Sequence, residues 1–154
     1  MAYWLAKTEP DVYSIDDLLK DTSTEWTGVR NYQARNSLKA MKPGDSVVIY
    51  HSNAQPPGAA GLATVKRCAV ADPTQFDKKS EYYDPKASVE APRWFCPVLA
   101  FNSKFKRLVS LDEMRGVAEL AGLQLLQRGT RLSVIPVDEK HFFKIVELAQ
   151  DTSR

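Results

Sequence analysis

The sequence predicts an α+β domain, a small and strongly bent sheet or barrel with short helices on its rim. Three observations lead there. Several short segments carry the apolar alternation of strands. Helical patterns fall near the start, near the middle and at the end, and do not follow each strand in turn. The strands are too few and too irregularly spaced for a doubly wound parallel sheet. With 154 residues, the chain fits one domain spanning 1–154.

Tyr3 to Lys7 alternates aromatic and aliphatic residues and reads as the first strand. Ser14 with Asp17 matches a capping box, so Ser14 to Lys20 reads as a short helix with Leu18 and Leu19 turned inward. Asp21 to Thr27 is polar and reads as a loop. Asn31 to Met41 places Ala34, Leu38 and Met41 at helical spacing, and Pro43-Gly44-Asp45 stops it. Ser46 to His51 is a β-branched strand, followed by a polar loop from Ser52 to Pro57. Ala59 to Val65 forms the next strand. Val70 to Pro92 is a long irregular excursion that keeps Tyr82 and Tyr83, residues needing burial or a partner. Arg93 to Phe101 returns to strand. Ser110 with Glu113 repeats the capping-box pattern and opens a short helix to about Arg115. Arg131 to Val137 is a strand, with Pro136 marking an edge or an end. Asp138 caps a final helix with Phe142, Ile145, Val146 and Ala149 on one face.

Hydrophobic residues make up 44% and charged residues 26%, which excludes a disordered chain. Two cysteines, Cys68 and Cys96, exclude a disulfide scaffold. No signal-peptide pattern and no apolar run long enough to span a membrane are visible, so the expected setting is the reducing cytoplasm. The net charge of +2 says little, but its distribution says more. Trp26 to Gly44 holds Arg30, Arg35, Lys39 and Lys42 and no acid; Pro92 to Ser110 holds Arg93, Lys104, Lys106 and Arg107 and no acid. Such segregation suits either a basic face for an anionic partner or ordinary solvated surface.

Enzyme signatures are missing. There is no phosphate-cradling glycine motif, no HExxH, no CxxC and no GxSxG. His51, His141, Cys68 and Cys96 are too scattered for a recognisable metal site, so neither metal nor cofactor is expected. His51 and Ser52 are adjacent on a strand and point to opposite faces, which disfavours a base–nucleophile couple. Cys96 lies in an apolar run and reads as an inert buried thiol.

The unusual block is Trp26-Thr-Gly-Val-Arg-Asn-Tyr-Gln-Ala-Arg-Asn36. A helix core needs none of its polar members. Aromatic faces of Trp26 and Tyr32 stack on bases, Asn31 reads base edges, and Arg30 and Arg35 bind phosphate. Taken singly, Asn31 also suits a helix cap and the arginines suit a surface. Tyr50-His51-Ser52 adds hydrogen-bonding groups at a strand end, and Trp94 suits equally a second stacking platform or a core position.

Tyr3-Trp-Leu-Ala-Lys-Thr-Glu-Pro10, Trp26 to Asn36, Met41-Lys-Pro-Gly-Asp45, Tyr50-His-Ser52 and Arg131-Leu-Ser-Val134, in that order, resemble the EVE domain family. The resemblance implies a PUA-like fold, a small β-barrel flanked by short helices and related to the YTH domains. It also implies a non-catalytic reader of modified nucleobases, chiefly modified cytosines, in DNA or RNA. By motif, the implied pocket draws on Trp26, Val29, Arg30 and Asn31, on Ser52 and its neighbours, and on Leu132 and Ser133 beside Arg131. Lys7, Thr8 and Glu9 line or brace it. The implied partner is a nucleic acid carrying a modified base, alongside other protein modules, and no membrane. The chain lacks the basic N-terminal extension of nuclear animal members and resembles the compact bacterial form. Two other readings stay open: a PUA-type RNA- or tRNA-binding module, and an enzyme acting on a nucleobase through Glu9, His51 or Cys68.

Overall fold

A computed structural model describes residues 1–129 and 131–150. Six strands form one mixed sheet: β1 (Tyr3–Thr8), β2 (Ser23–Glu25), β3 (Ser46–His51), β4 (Gly58–Ala71), β5 (Phe95–Ser110) and β6 (Val134–Val137). Their spatial order is β2-β5-β4-β3-β1-β6. Four helices accompany them: α1 (Ile15–Asp21), α2 (Tyr32–Ala40), α3 (Leu111–Arg115) and α4 (Glu139–Gln150). The α+β class follows as expected.

β1 and β3 run parallel, and every other pairing is antiparallel. Strand alternation sorts the apolar residues into two cores. Trp4, Ala6, Val47 and Ile49 join Ile15 and Leu18 of α1 and Ala34 and Leu38 of α2. Leu5, Val48 and Tyr50 join Met114 of α3 and Phe142, Ile145 and Leu148 of α4. Each fully buried Leu or Ile contributes roughly 1.5–3 kcal/mol, so the helices are fastened mainly by these contacts.

The helix starts are where the sequence places them. Ser14 and Asp17 form the reciprocal capping box. The Asn31 side chain accepts from the amides of Gln33 and Ala34, and that of Ser110 accepts from Glu113. The Phe142 amide donates to the Asp138 carbonyl at 2.9 Å, opening α4.

Four expectations are corrected. Asp21 to Thr27 contains β2, whose three residues pair with Val98–Ala100 of β5. Leu19 points outward and is exposed, while Leu18 is buried. β4 and β5 run far beyond the apolar cores of Ala59 to Val65 and Arg93 to Phe101, because register shifts let them bend and carry polar residues while staying paired. Arg131 to Ser133 precede β6, which begins at Val134. Pro136 sits on this edge strand, where a missing amide costs least.

Candidate functional site

Three of the predicted segments meet at one end of the sheet, beyond the carboxyl ends of parallel β1 and β3. Lys7 lies opposite Tyr50, and its amide donates to the Ser133 carbonyl at 2.7 Å, one step past the Ala6–Val134 pair. Directly opposed residues share a face, so Tyr50 of β3, Lys7 of β1 and Ser133, just before β6, form one row. Thr8 lies opposite His51, and the Ser52 amide donates to the Thr8 carbonyl at 2.9 Å.

Side-chain accounting separates those the fold engages from those it leaves open. The Thr8 hydroxyl donates to the Tyr13 carbonyl at 2.7 Å, and Glu9 accepts from Asn53 at 3.3 Å. His51 Nε2 accepts the Ile15 amide at 3.1 Å, at the start of α1, and burial holds its pKa below the ordinary value. That imidazole is a helix brace. Lys7 is different: its ammonium is half-buried, burial lowers its pKa, and it has no protein partner among the described residues. The hydroxyls of Ser52 and Ser133 likewise have none, and none of these three groups is sealed from solvent. These groups keep unused hydrogen-bonding capacity at one strand end. Arg131 is exposed beside them, and Leu132 packs against the second core.

The Trp26 to Asn36 block lies on the other face and requires corrections. Trp26 is only 7% exposed; it packs in the first core with Val29, edge-on to Tyr13 at 6.3 Å. The indole is thus a wall of the core and not an open platform. Asn31 has its side-chain oxygen held by two helix amides, so the cap reading of Asn31 holds. Arg30 has its guanidinium turned to the fold itself. Its Nε donates to the Tyr82 carbonyl; Nη1 donates to the Val29 carbonyl and to Asp72; Nη2 donates to the Thr74 hydroxyl and again to Tyr82. A guanidinium has five N–H groups, and all five are engaged.

Asp72 is the centre of this clamp. It is fully buried and accepts from the amides of Gly28 and Thr74, the Thr74 hydroxyl and Arg30. Burial alone would push its carboxyl up, but these donors outweigh that and hold it below the usual carboxylate range. The clamp ties the excursion onto the block. Gly28, at φ +86°, lets the ring of Tyr82 come so close that a Cβ would sit 2.8 Å from it.

Trp94 is also buried, its indole N–H donating to Asp84 at 2.7 Å, so the core reading of Trp94 holds. Its ring stacks on Tyr32, which is half-exposed, with Arg35 on the far side of the contact network. Asp72, Thr74 and Tyr82 were not among the predicted site residues. Only the tyrosine pair in the excursion signals them, since their partners lie some forty residues or more away in sequence.

Elsewhere, Cys96 is buried and its thiol is pushed up to about 12 by burial, then by Asp72 and Glu25, whereas Cys68 is exposed on β4. Among the described residues no group of three metal-ligating side chains comes together, and no helix is long and apolar enough to cross a membrane.

The model of one family, the EVE domain, matches residues 2–148. The chain belongs to the EVE domain family. Thymocyte nuclear protein 1 of Rattus norvegicus is 37% identical to this EVE domain over 96% of the chain and 74% of the relative. A solved structure from Leishmania major is 43% identical, covers 100% of this chain and 98% of its own, and superposes with a TM-score of 0.95. The human THYN1 protein, solved in complex with DNA containing 5-methylcytosine, is 35% identical, covers 98% and 99%, and superposes with a TM-score of 0.93. Relatives of this EVE domain therefore span its whole described fold.

Proposed function

We propose that this EVE domain is a non-catalytic nucleic-acid-binding module that reads a modified nucleobase, a modified cytosine above all. The observation that carries the reading is the set of open groups on Lys7, Ser52 and Ser133 at one strand end. They sit in a domain that shares its fold with a human relative crystallised on 5-methylcytosine DNA. A base read this way leaves its stack, at a cost of a few kcal/mol in a duplex and less in a single strand. Edge hydrogen bonds from the two hydroxyls fix the base, and the Lys7 ammonium meets its anionic backbone. Of the residues named for an enzyme reading, His51 accepts the Ile15 amide, Glu9 accepts from Asn53, and Cys68 is exposed on β4.

Titration by fluorescence anisotropy tests the reading, with oligonucleotides that differ at one cytosine, plain or 5-methylated, in single-stranded DNA, duplex DNA and RNA. Tighter binding of the modified strand, reduced by Ser133→Ala, supports it. Tight binding of structured RNA with no response to modification favours the RNA-module reading, for which the acid-free segments 26–44 and 92–110 speak.

A further inference from the structure

A continuous stack of planar groups joins the 26–36 block to the excursion. The Arg30 guanidinium lies 5.4 Å from the Tyr82 ring centre and 5.3 Å from that of Trp94. Trp94 stacks on Tyr32 at 5.0 Å with 24° between the planes. Arg35 lies 4.8 Å and Arg93 5.8 Å from the Tyr32 ring centre. The inner rungs are closed, since Trp94 is buried and Arg30 has every N–H engaged.

The outer end is open. Tyr32 is 49% exposed on α2. Arg35 places three N–H groups, two on the Asn36 oxygen and one on the Arg93 carbonyl, and so keeps two of its five free. Arg93 donates to the Tyr32 hydroxyl and faces Asp84 at 3.5 Å, the one carboxylate paired with it among the described residues. Lys39, above the Phe95 ring, extends the same basic helix, and no acid occurs from Trp26 to Gly44.

Stacking on Trp94 accounts for one face of Tyr32, while the rest of the residue and the spare Arg35 N–H groups are left to solvent. A half-exposed tyrosine with the Arg35 guanidinium over its ring, two of whose N–H groups are free, is complementary to a nucleic-acid strand, base against the guanidinium plane and phosphate against the fork. We propose that the Tyr32–Arg35–Arg93 end of the stack is a second, strand-holding subsite. It takes a nucleotide of the bound strand other than the read base, whatever its sequence or modification. The inference rests on the nucleic-acid reading above and adds a division of labour: the strand end of the sheet discriminates, and this end supplies sequence-independent affinity.

The test compares wild type, Tyr32→Ala, Tyr32→Phe and Arg93→Gln on matched plain and 5-methylcytosine single strands from 50 to 200 mM salt. Circular dichroism and thermal melting confirm that each variant is folded. Tyr32→Ala is expected to weaken both strands together by about tenfold, leaving their affinity ratio unchanged, and Tyr32→Phe is expected to restore most of it. Arg93→Gln should lower the slope of log K against log salt by about one. Folded Tyr32→Ala and Arg93→Gln proteins that bind both strands with wild-type affinity and slope overturn the subsite. So does binding of a poly-glutamate peptide in place of any oligonucleotide. A wild type that binds both strands equally, with the Tyr32→Ala loss still present, overturns base reading and leaves the subsite standing.

Discussion

Arg30 and the fully buried Asp72 form a part-buried ion pair at 3.1 Å across 42 residues of chain, and the same carboxylate holds the Gly28 amide at 2.8 Å. One side chain from the excursion thus fixes the main chain two residues after Trp26 as well as the arginine four residues after it. Removing Arg30 leaves the fully buried Asp72 carboxylate without its one cationic partner.

Arg30→Ala is therefore expected to destabilise the domain by about 3 kcal/mol, read from urea unfolding midpoints. It should also free the excursion, seen as faster amide exchange at Thr74 and Tyr82. A variant that unfolds at the wild-type midpoint would show that the clamp is not what secures this segment.

The same pair sets an acid limit. The folded Asp72 pKa lies below its unfolded value of about 3.8, so its stabilising contribution is complete above that value and is lost as pH falls through the folded pKa. Melting temperature should decline on acidification below about pH 4, and Asp72→Asn should lower it at neutral pH while flattening that acid limb.

Gly28→Ala tests the close approach of Tyr82. An alanine there must adopt φ near +86° and place its methyl 2.8 Å from the ring. A loss of about 1–3 kcal/mol is expected. The double variant Gly28→Ala with Tyr82→Ala should recover the part due to contact, leaving only the backbone strain.

Lys7 separates stability from binding. Its half-buried ammonium has no carboxylate partner among the described residues and burial disfavours its charged form. Lys7→Met should thus melt at the wild-type temperature or higher while binding oligonucleotides more weakly. A variant that loses stability and keeps its affinity contradicts the role given to this lysine.

The two thiols give a labelling contrast. Native protein should react with iodoacetamide at exposed Cys68, while Cys96, buried and pushed up to about 12, reacts only after unfolding. Mass analysis after alkylation at pH 8 distinguishes one adduct from two.

The local signals in the sequence and the distant ones differ in how well they can be read. Ser14, Asn31 and Ser110 announce helix starts because a cap bonds amides two or three residues ahead. β2 is illegible because Ser23-Thr24-Glu25 becomes a strand only through Val98–Ala100, more than seventy residues away. The candidate site divides the same way. Lys7 and Ser52 stand at strand ends that periodicity locates, whereas Ser133 lies just before β6 and not within the strand that periodicity predicts. By contrast, the internal use of Arg30 depends on Asp72, Thr74 and Tyr82, and no spacing in the 26–36 block reveals them. A guanidinium beside aromatics looks like a phosphate ligand until its five N–H groups are counted.

The decisive measurement is the ratio of dissociation constants for two single-stranded DNA oligonucleotides identical except for one 5-methyl group on cytosine. One methyl in an apolar contact supports about tenfold or somewhat more, so the methylated strand should bind tighter by about that factor at every salt concentration. Equal constants for the two strands throughout the salt range would contradict the assignment of this EVE domain as a reader of modified bases.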